Sequence, residues 1–299
     1  MNLIKPKKLK PGDTIAIIAP SGVVDIDAIN KASIYFTNKG YKIKLGENIS
    51  KTDRYLAGSD VDRLSDLHSA FEDNSIDAII CARGGYGALR LANKLDFELI
   101  KKHPKIFCGY SDITVLNALL FKQCGLITFS GPMAQSDFTG NIIEPYTEQS
   151  FFNALCGNYL KIKPIENKLY SNNSCSGILI GGNLTTLATL CGLDFVPDEK
   201  FILFAEDLNE PVYKIDRAFT QLLNIEKFRQ NINGIILGEF TDTDNNAYLE
   251  QYFKNLSNEL NIPVSGIFPI THSKKKTTIP YGAKAVLQNN IVQISDFTV

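Results

Sequence analysis

The 299-residue sequence has only three histidines, no Cys-x-x-Cys pair and no long apolar run, and its charges nearly cancel. Each shortage removes a class of protein. With 31 Lys and Arg against 32 Asp and Glu, no excess of one sign calls for nucleic acid or an anionic membrane as partner. No stretch reaches the ~18 apolar residues of a membrane span. The start, "MNLIKPKKLKPGD", is basic but has no apolar segment behind it, so it does not read as a signal peptide, and a cytoplasmic location is expected. The six cysteines (Cys81, Cys108, Cys124, Cys156, Cys175 and Cys191) lack the spacing of a zinc site or a disulfide frame, and read as reduced core residues. There is no G-x-x-x-x-G-K-[ST] loop. Gly85-x-Gly87 begins like a dinucleotide fingerprint, but Arg90 stands at the third position and no acidic residue ends a following strand. No metal or cofactor is therefore expected.

What is present is a rhythm. A hydrophobic content of 44% is enough for a sizeable core, and the length suits one large or two medium domains. Short apolar runs, "TIAIIAPSG", "YKIKLGEN", "IDAIICARGG" and "KIFCGYS", alternate with amphipathic stretches. That alternation predicts a doubly wound, mainly parallel α/β domain over residues 1–150. Residues 151–176 end in the polar tract "GNYLKIKPIENKLYSNNSCS" and read as a linker. Residues 177–299 resume with further apolar runs and close on "KAVLQNNIVQISDF", a hairpin turning at Asn289–Asn290.

Strands end in chemically useful residues at several points. In "IFCGYSDITVLNALL" (106–120) an apolar run gives way at Gly109 and Tyr110 to Ser111, and a helical pattern starts at once. Such a corner exposes a side chain at the carboxyl end of the sheet and beside free helix N–H groups, where a serine can attack a carbonyl. The G-Y-S-D order differs from the G-x-S-x-G nucleophile elbow, and Ser is also a favoured helix cap, so both roles are open. A serine nucleophile needs a base. His68 falls within an amphipathic helix and His103 in the polar turn "KKHPK", whereas His272 follows the apolar run "VSGIFPIT" and is the best candidate. A catalytic histidine needs an acid, and "FILFA" runs directly into Glu206 and Asp207. Pattern alone does not choose between them. In "CARGGYGALRL" a strand runs into Arg83 and paired glycines, whose backbone can approach a ligand closely. A second glycine pair, in "LIGGNLTTL", serves either binding or the packing of a helix on a sheet.

Together these segments resemble the LD-carboxypeptidases, cytosolic serine peptidases of bacterial cell-wall recycling, with relatives that give immunity to peptide–nucleotide antibiotics. The resemblance runs from "PGDTIAIIAPSG" through "ARGGYGALRL", "GYSDIT", "GGNLTTL", "FAEDLNEPVYKIDRAFTQL" and "GIILGEF" to "PITHSKKKTTIPYGAKAVL". It implies a Rossmann-like N-terminal domain, a smaller C-terminal α/β domain, a site between them and a homodimer. It also implies a Ser111–His272–Glu206 triad, with Glu206 rather than Asp207 as the acid, and an oxyanion hole from the amides of Gly85 and Asp112. The substrate implied is murein tetrapeptide, cut before its terminal D-alanine; an antibiotic-like amide is the alternative. A non-catalytic nucleotide- or sugar-binding protein is the reading from another class. The sequence departs from the family at Thr271, where glycine is common, and in the basic run Lys274, Lys275 and Lys276.

Overall fold

A computed structural model describes residues 2–140, 142–171 and 174–299. Along the chain run β1 (Thr14–Ile18), α1 (Ile26–Asn38), β2 (Lys42–Leu45), α2 (Asp60–Glu72), β3 (Ala78–Cys81), α3 (Phe97–Lys102), β4 (Ile106–Cys108), α4 (Thr114–Cys124), β5 (Thr128–Ser130), α5 (Ala134–Asp137) and α6 (Pro145–Cys156). A 3₁₀ segment over Ala88–Lys94 follows β3. Then come β6 (Tyr159–Ile162), β7 (Lys168–Leu169), β8 (Cys175–Asn183), α7 (Leu184–Ala188), β9 (Phe201–Leu208), α8 (Val212–Leu223), α9 (Glu226–Asn231), β10 (Ile232–Thr241), α10 (Asn246–Leu260), β11 (Val264–Gly266), β12 (Ile279–Tyr281), β13 (Lys284–Gln288) and β14 (Ile291–Ser295).

Among the described residues the strands form two sheets, in two α/β domains. The first has the order β12-β5-β4-β3-β1-β2. Its strands β1 to β5 are parallel. Segments such as β3 and β4 are buried at every position, as a parallel sheet covered on both faces requires. Helices supply that cover: Phe36 of α1, Phe138 after α5 and Phe151 of α6 meet with ring centroids 4.8 and 5.0 Å apart. Burying one such ring contributes roughly 1.5–3 kcal/mol. The strand order reverses between β1 and β3, and the crevice outside the carboxyl ends at such a switch point is where open α/β sheets bind ligands.

The second sheet has the order β6-β14-β13-β8-β9-β10-β11-β7, with β8 to β11 parallel and antiparallel strands on both sides. Asn289 and Asn290 take φ of 50° and 56° in the two-residue turn between β13 and β14, a conformation that asparagine tolerates.

Two features differ from the reading of the sequence. The tract 151–176 contains the end of α6 and the strands β6 and β7, both of which join the second sheet; Asn172 and Asn173 lie outside the described residues. And β12, from the second half of the chain, pairs antiparallel with β5 as the edge strand of the first sheet. The two domains are further joined by α4, which packs on β8, α7 and β12. Gly182 of β8 lies so close to Thr114 of α4 that a side chain there would collide with it.

Candidate active site

The site is assembled where β4 and β9 end. β4 stops at Cys108, and the chain turns through Gly109, Tyr110 and a single 3₁₀ turn, Ser111–Ile113, into α4. Gly109 is crowded: a Cβ there would lie 2.9 Å from Ile113 and 3.1 Å from Cys81. Its carbonyl accepts a hydrogen bond from Asn117 Nδ2 at 2.9 Å, which ties the end of the strand to the helix it feeds. Ser111 takes φ 62°. This left-handed backbone costs a non-glycine residue about 1–2 kcal/mol and is concentrated at functional sites. Ser111 is the first residue inside the 3₁₀ turn; the cap positions of that turn and of α4 are Tyr110 and Ile113. The helix-cap role is thereby removed, and Ser111 stands half-buried at the corner.

The glycine loop after β3 abuts this corner. A Cβ on Gly84 would meet Ser111 Cβ at 2.9 Å and Ser111 Oγ at 3.0 Å, with the Asp112 amide nitrogen 3.4 Å away. Only glycine allows that approach. Gly85 and Gly87 have φ of 111° and 138°, so the loop also needs glycine for its path. Three groups fix it. Gly22 N–H donates to Gly84 O at 3.2 Å, which joins the loops after β1 and β3 across the switch point. Fully buried Arg63 donates to Pro20 O at 2.7 Å and to Gly87 O at 2.8 Å. The Asp112 carboxylate accepts from Ser21 Oγ and, at 2.8 Å, from Ala88 N–H. Burial raises the Asp112 pKa, against the lowering effect of those two bonds and of Arg63.

From the second domain, β9 carries Glu206 and Asp207, both buried. Glu206 Oε2 lies 2.7 Å from His272 Nδ1. A proton on Nδ1 shared with this carboxylate leaves Nε2 as the acceptor. Asp207 points elsewhere. It accepts from Thr185 N–H at 2.9 Å, Leu208 N–H at 3.0 Å and Asn183 Nδ2 at 2.8 Å. Its pKa is raised by burial in spite of these bonds. Gly238 of β10 leaves the room that Glu206 needs, since a Cβ there would come within 2.9 Å of Glu206 Cβ. The His272 ring rests edge-on against Tyr110, the neighbour of Ser111, with centroids 5.2 Å apart. The Glu206–His272 pair thus meets Tyr110, the residue before Ser111, although among the described residues no hydrogen bond joins Ser111 Oγ to His272. Such bonds often tighten only when substrate is bound.

The other two histidines lie elsewhere. His68 is a half-buried residue of α2 whose Nε2 accepts from Asp96 N–H at 3.1 Å, and burial lowers its pKa. His103 caps α3. The pair Gly181–Gly182 serves packing, since both press on neighbouring chain: Gly181 on the Phe204 backbone and Gly182 on Thr114. The six cysteines are free, but Cys156 is exposed and Cys191 half-buried, so not all are core residues.

Several supporting residues went unread in the sequence. Asn183, Ser21, Tyr110 and Asp137 left no signal, because each acts on a partner distant in the chain. Arg63 did leave one: it shares a helical face with Leu67, Ala70 and Phe71, so its burial followed from the period of α2.

Comparison with known proteins matches this architecture. Residues 15–131 match the LD-carboxypeptidase N-terminal domain and residues 176–287 the LD-carboxypeptidase C-terminal domain. A probable murein peptide carboxypeptidase of Bacillus subtilis is 36% identical over 293 residues, covering 95% of this chain and 91% of that protein. The crystal structure of muramoyltetrapeptide carboxypeptidase from Oxalobacter formigenes is 31% identical, with a TM-score of 0.88 and coverage of 96% of this chain and 100% of that one. An MccF-like protein from Bacillus anthracis superimposes with a TM-score of 0.90 at 28% identity, covering 97% and 98% of the two chains. With both halves of the chain matched, the chain belongs to the LD-carboxypeptidase family of serine peptidases.

Proposed function

We propose that this protein is a serine LD-carboxypeptidase that removes the terminal D-alanine from murein tetrapeptide by means of a Ser111–His272–Glu206 triad. The observation that carries the reading is the pair of buried Glu206 and half-buried His272, held at 2.7 Å and packed through His272 on the residue preceding a left-handed serine. The relatives named for murein peptides support the substrate.

In this mechanism His272 Nε2 takes the proton of Ser111 Oγ as the oxygen attacks the carbonyl carbon of the L,D-amide bond. The Glu206 carboxylate holds the imidazole in its productive tautomer and stabilises it once charged. The backbone amides of Gly85 and Asp112 donate to the oxyanion of the tetrahedral intermediate. The lack of room for a side chain at Gly84 and the bond from Ala88 N–H to Asp112 support this role for the loop. His272 returns the proton to the departing amine, D-alanine leaves, and water attacks the acyl-enzyme with the same base. A cytoplasmic location and a homodimer belong to the same reading.

Mass spectrometry of murein tetrapeptide incubated with the protein tests it: the tripeptide and free D-alanine are expected, and unchanged peptide would refute the substrate. The likeness to the MccF-like protein favours one second reading, hydrolysis of an amide in a peptide–nucleotide antibiotic. An aminoacyl-nucleotide amide in a parallel incubation separates the two by which compound is turned over faster.

A further inference from the structure

The three lysines after His272 form one basic run in the sequence, but its members part company in the fold. Lys274 and Lys275 are exposed, while Lys276 is buried, its side chain 4% accessible. Lys276 Nζ donates to Tyr110 OH at 2.8 Å and pairs with Asp137 Oδ1 at 2.5 Å; the Asp137 side chain is itself 6% accessible. The ammonium also lies 4.2 Å from the centroid of the Tyr110 ring, the ring on which His272 rests. The backbone of this segment is laced to α6: Thr147 Oγ1 donates to Lys274 O at 2.6 Å and accepts from Lys276 N–H at 2.8 Å. A buried ion pair adds little net stability over an apolar pair of the same shape, so its presence at the seam between nucleophile and base asks for another reason.

We infer that Lys276 is a positioning residue for catalysis: it grips Tyr110 from the segment that carries the chain from His272 to β12, and so sets the Ser111 corner against the His272 imidazole. The inference rests on the reading of Ser111 and His272 as nucleophile and base. Ser111 lies in the first domain and His272 in the second, so their separation depends on how the domains meet. Tyr110 is the shared surface. It precedes Ser111 in the chain, packs on His272 and is held by an ammonium four residues beyond that histidine. Two further bonds stiffen the frame: Asp137 Oδ2 accepts from Met133 N–H at 2.9 Å, and Tyr146 OH shares a hydrogen bond of 2.8 Å with Thr277 Oγ1. A displacement of about 1 Å between reacting groups can cost about 10² in rate, so loss of this grip acts on turnover and not on substrate affinity.

The test is steady-state release of D-alanine from murein tetrapeptide, with melting temperature as the control for folding. Lys276→Met alone strands the Asp137 charge, so the informative protein is Lys276→Met with Asp137→Asn, which is neutral and keeps the bond from Met133. It is expected to melt near the wild type, to lose about 10² in kcat and to keep KM within about threefold. Lys276→Arg is expected to retain at least a tenth of wild-type kcat. Tyr110→Phe removes only the hydroxyl and is expected to lose about tenfold in kcat at unchanged KM; it serves if the double variant does not fold. Wild-type kcat in the folded double variant, or in Tyr110→Phe, overturns the inference, because the cluster is then only structural. Ser111→Ala distinguishes the two levels. If it still turns over tetrapeptide, the assignment of nucleophile and base has failed; if it is inactive while the double variant is fully active, only the role of Lys276 has failed.

Discussion

β4 ends at Cys108, and three residues later the chain is thrown into left-handed backbone at Ser111, whereas β9 runs on through Glu206 and Asp207 to Leu208 and keeps both carboxylates buried. At the first strand end the candidate nucleophile is placed by the main chain. Crowding at Gly109, the bond from Asn117 and the absence of a side chain at Gly84 leave the corner one path. At the second end both carboxylates lie within the strand itself and the side chains do the sorting. Glu206 faces His272, and Asp207 faces Asn183 and the start of α7. A site on strained backbone should be sensitive to added volume, and a site on buried carboxylates to lost charge and hydrogen bonds.

Substitutions at four positions sharpen or break that contrast. The largest effect is expected of Ser111→Ala, with turnover down by about 10⁴ or more and the fold retained. Ser111→Gly should be equally inactive but more stable than Ser111→Ala by about 1 kcal/mol, because glycine accepts φ 62° without strain. Equal stability of the two variants in urea denaturation would show that the corner is not strained. Next comes Glu206→Gln, which keeps the shape at the end of β9 but loses the charge that orients and stabilises the imidazole. Its kcat should fall by up to about 10⁴ with little change in melting temperature. If Asp207→Asn proves the slower enzyme, the roles of the two carboxylates are reversed.

Gly84→Ala follows, with kcat lower by about 10². The new methyl group would lie 2.9 Å from Ser111 Cβ and push the corner or the loop aside. Wild-type kinetics for this variant would break the comparison at the β4 end, since added volume would then be harmless there. The smallest effect on turnover, less than about tenfold, is expected of Asp207→Asn, which should instead lower stability by about 1–3 kcal/mol. An asparagine has one acceptor oxygen for donors that now bond both oxygens of Asp207, and its amide would face one of them. Thermal unfolding measured beside turnover separates the two carboxylates.

The parts of the fold that could be read from the sequence were those carried by local pattern. Continuous apolar runs separated by helical periods specified a parallel sheet, because strands buried on both faces admit no polar alternation. The hairpin at Asn289–Asn290 was equally local, since two residues with positive φ suffice to make it. The position of Ser111 at a strand–helix corner also followed from the abrupt change of period after Cys108. Its left-handed backbone did not, because φ at a corner depends on what crowds it from outside, here Gly84 and Cys81.

What the sequence by itself determined, then, is which residues stand at strand ends: Ser111, Glu206 with Asp207, and the glycines after β3. Those assignments need only the alternation of buried and exposed positions along a few neighbouring residues. Tertiary structure alone decided the pairings among them. β12 crosses to the first sheet, and β6 and β7 take places in the second, through backbone hydrogen bonds to strands far away in the chain. Glu206 rather than Asp207 meets His272, and Lys276 rather than Lys274 or Lys275 turns inward to Tyr110 and Asp137. In both cases adjacent residues have the same chemistry, and the choice is made by the direction from which a partner arrives, which no local pattern encodes.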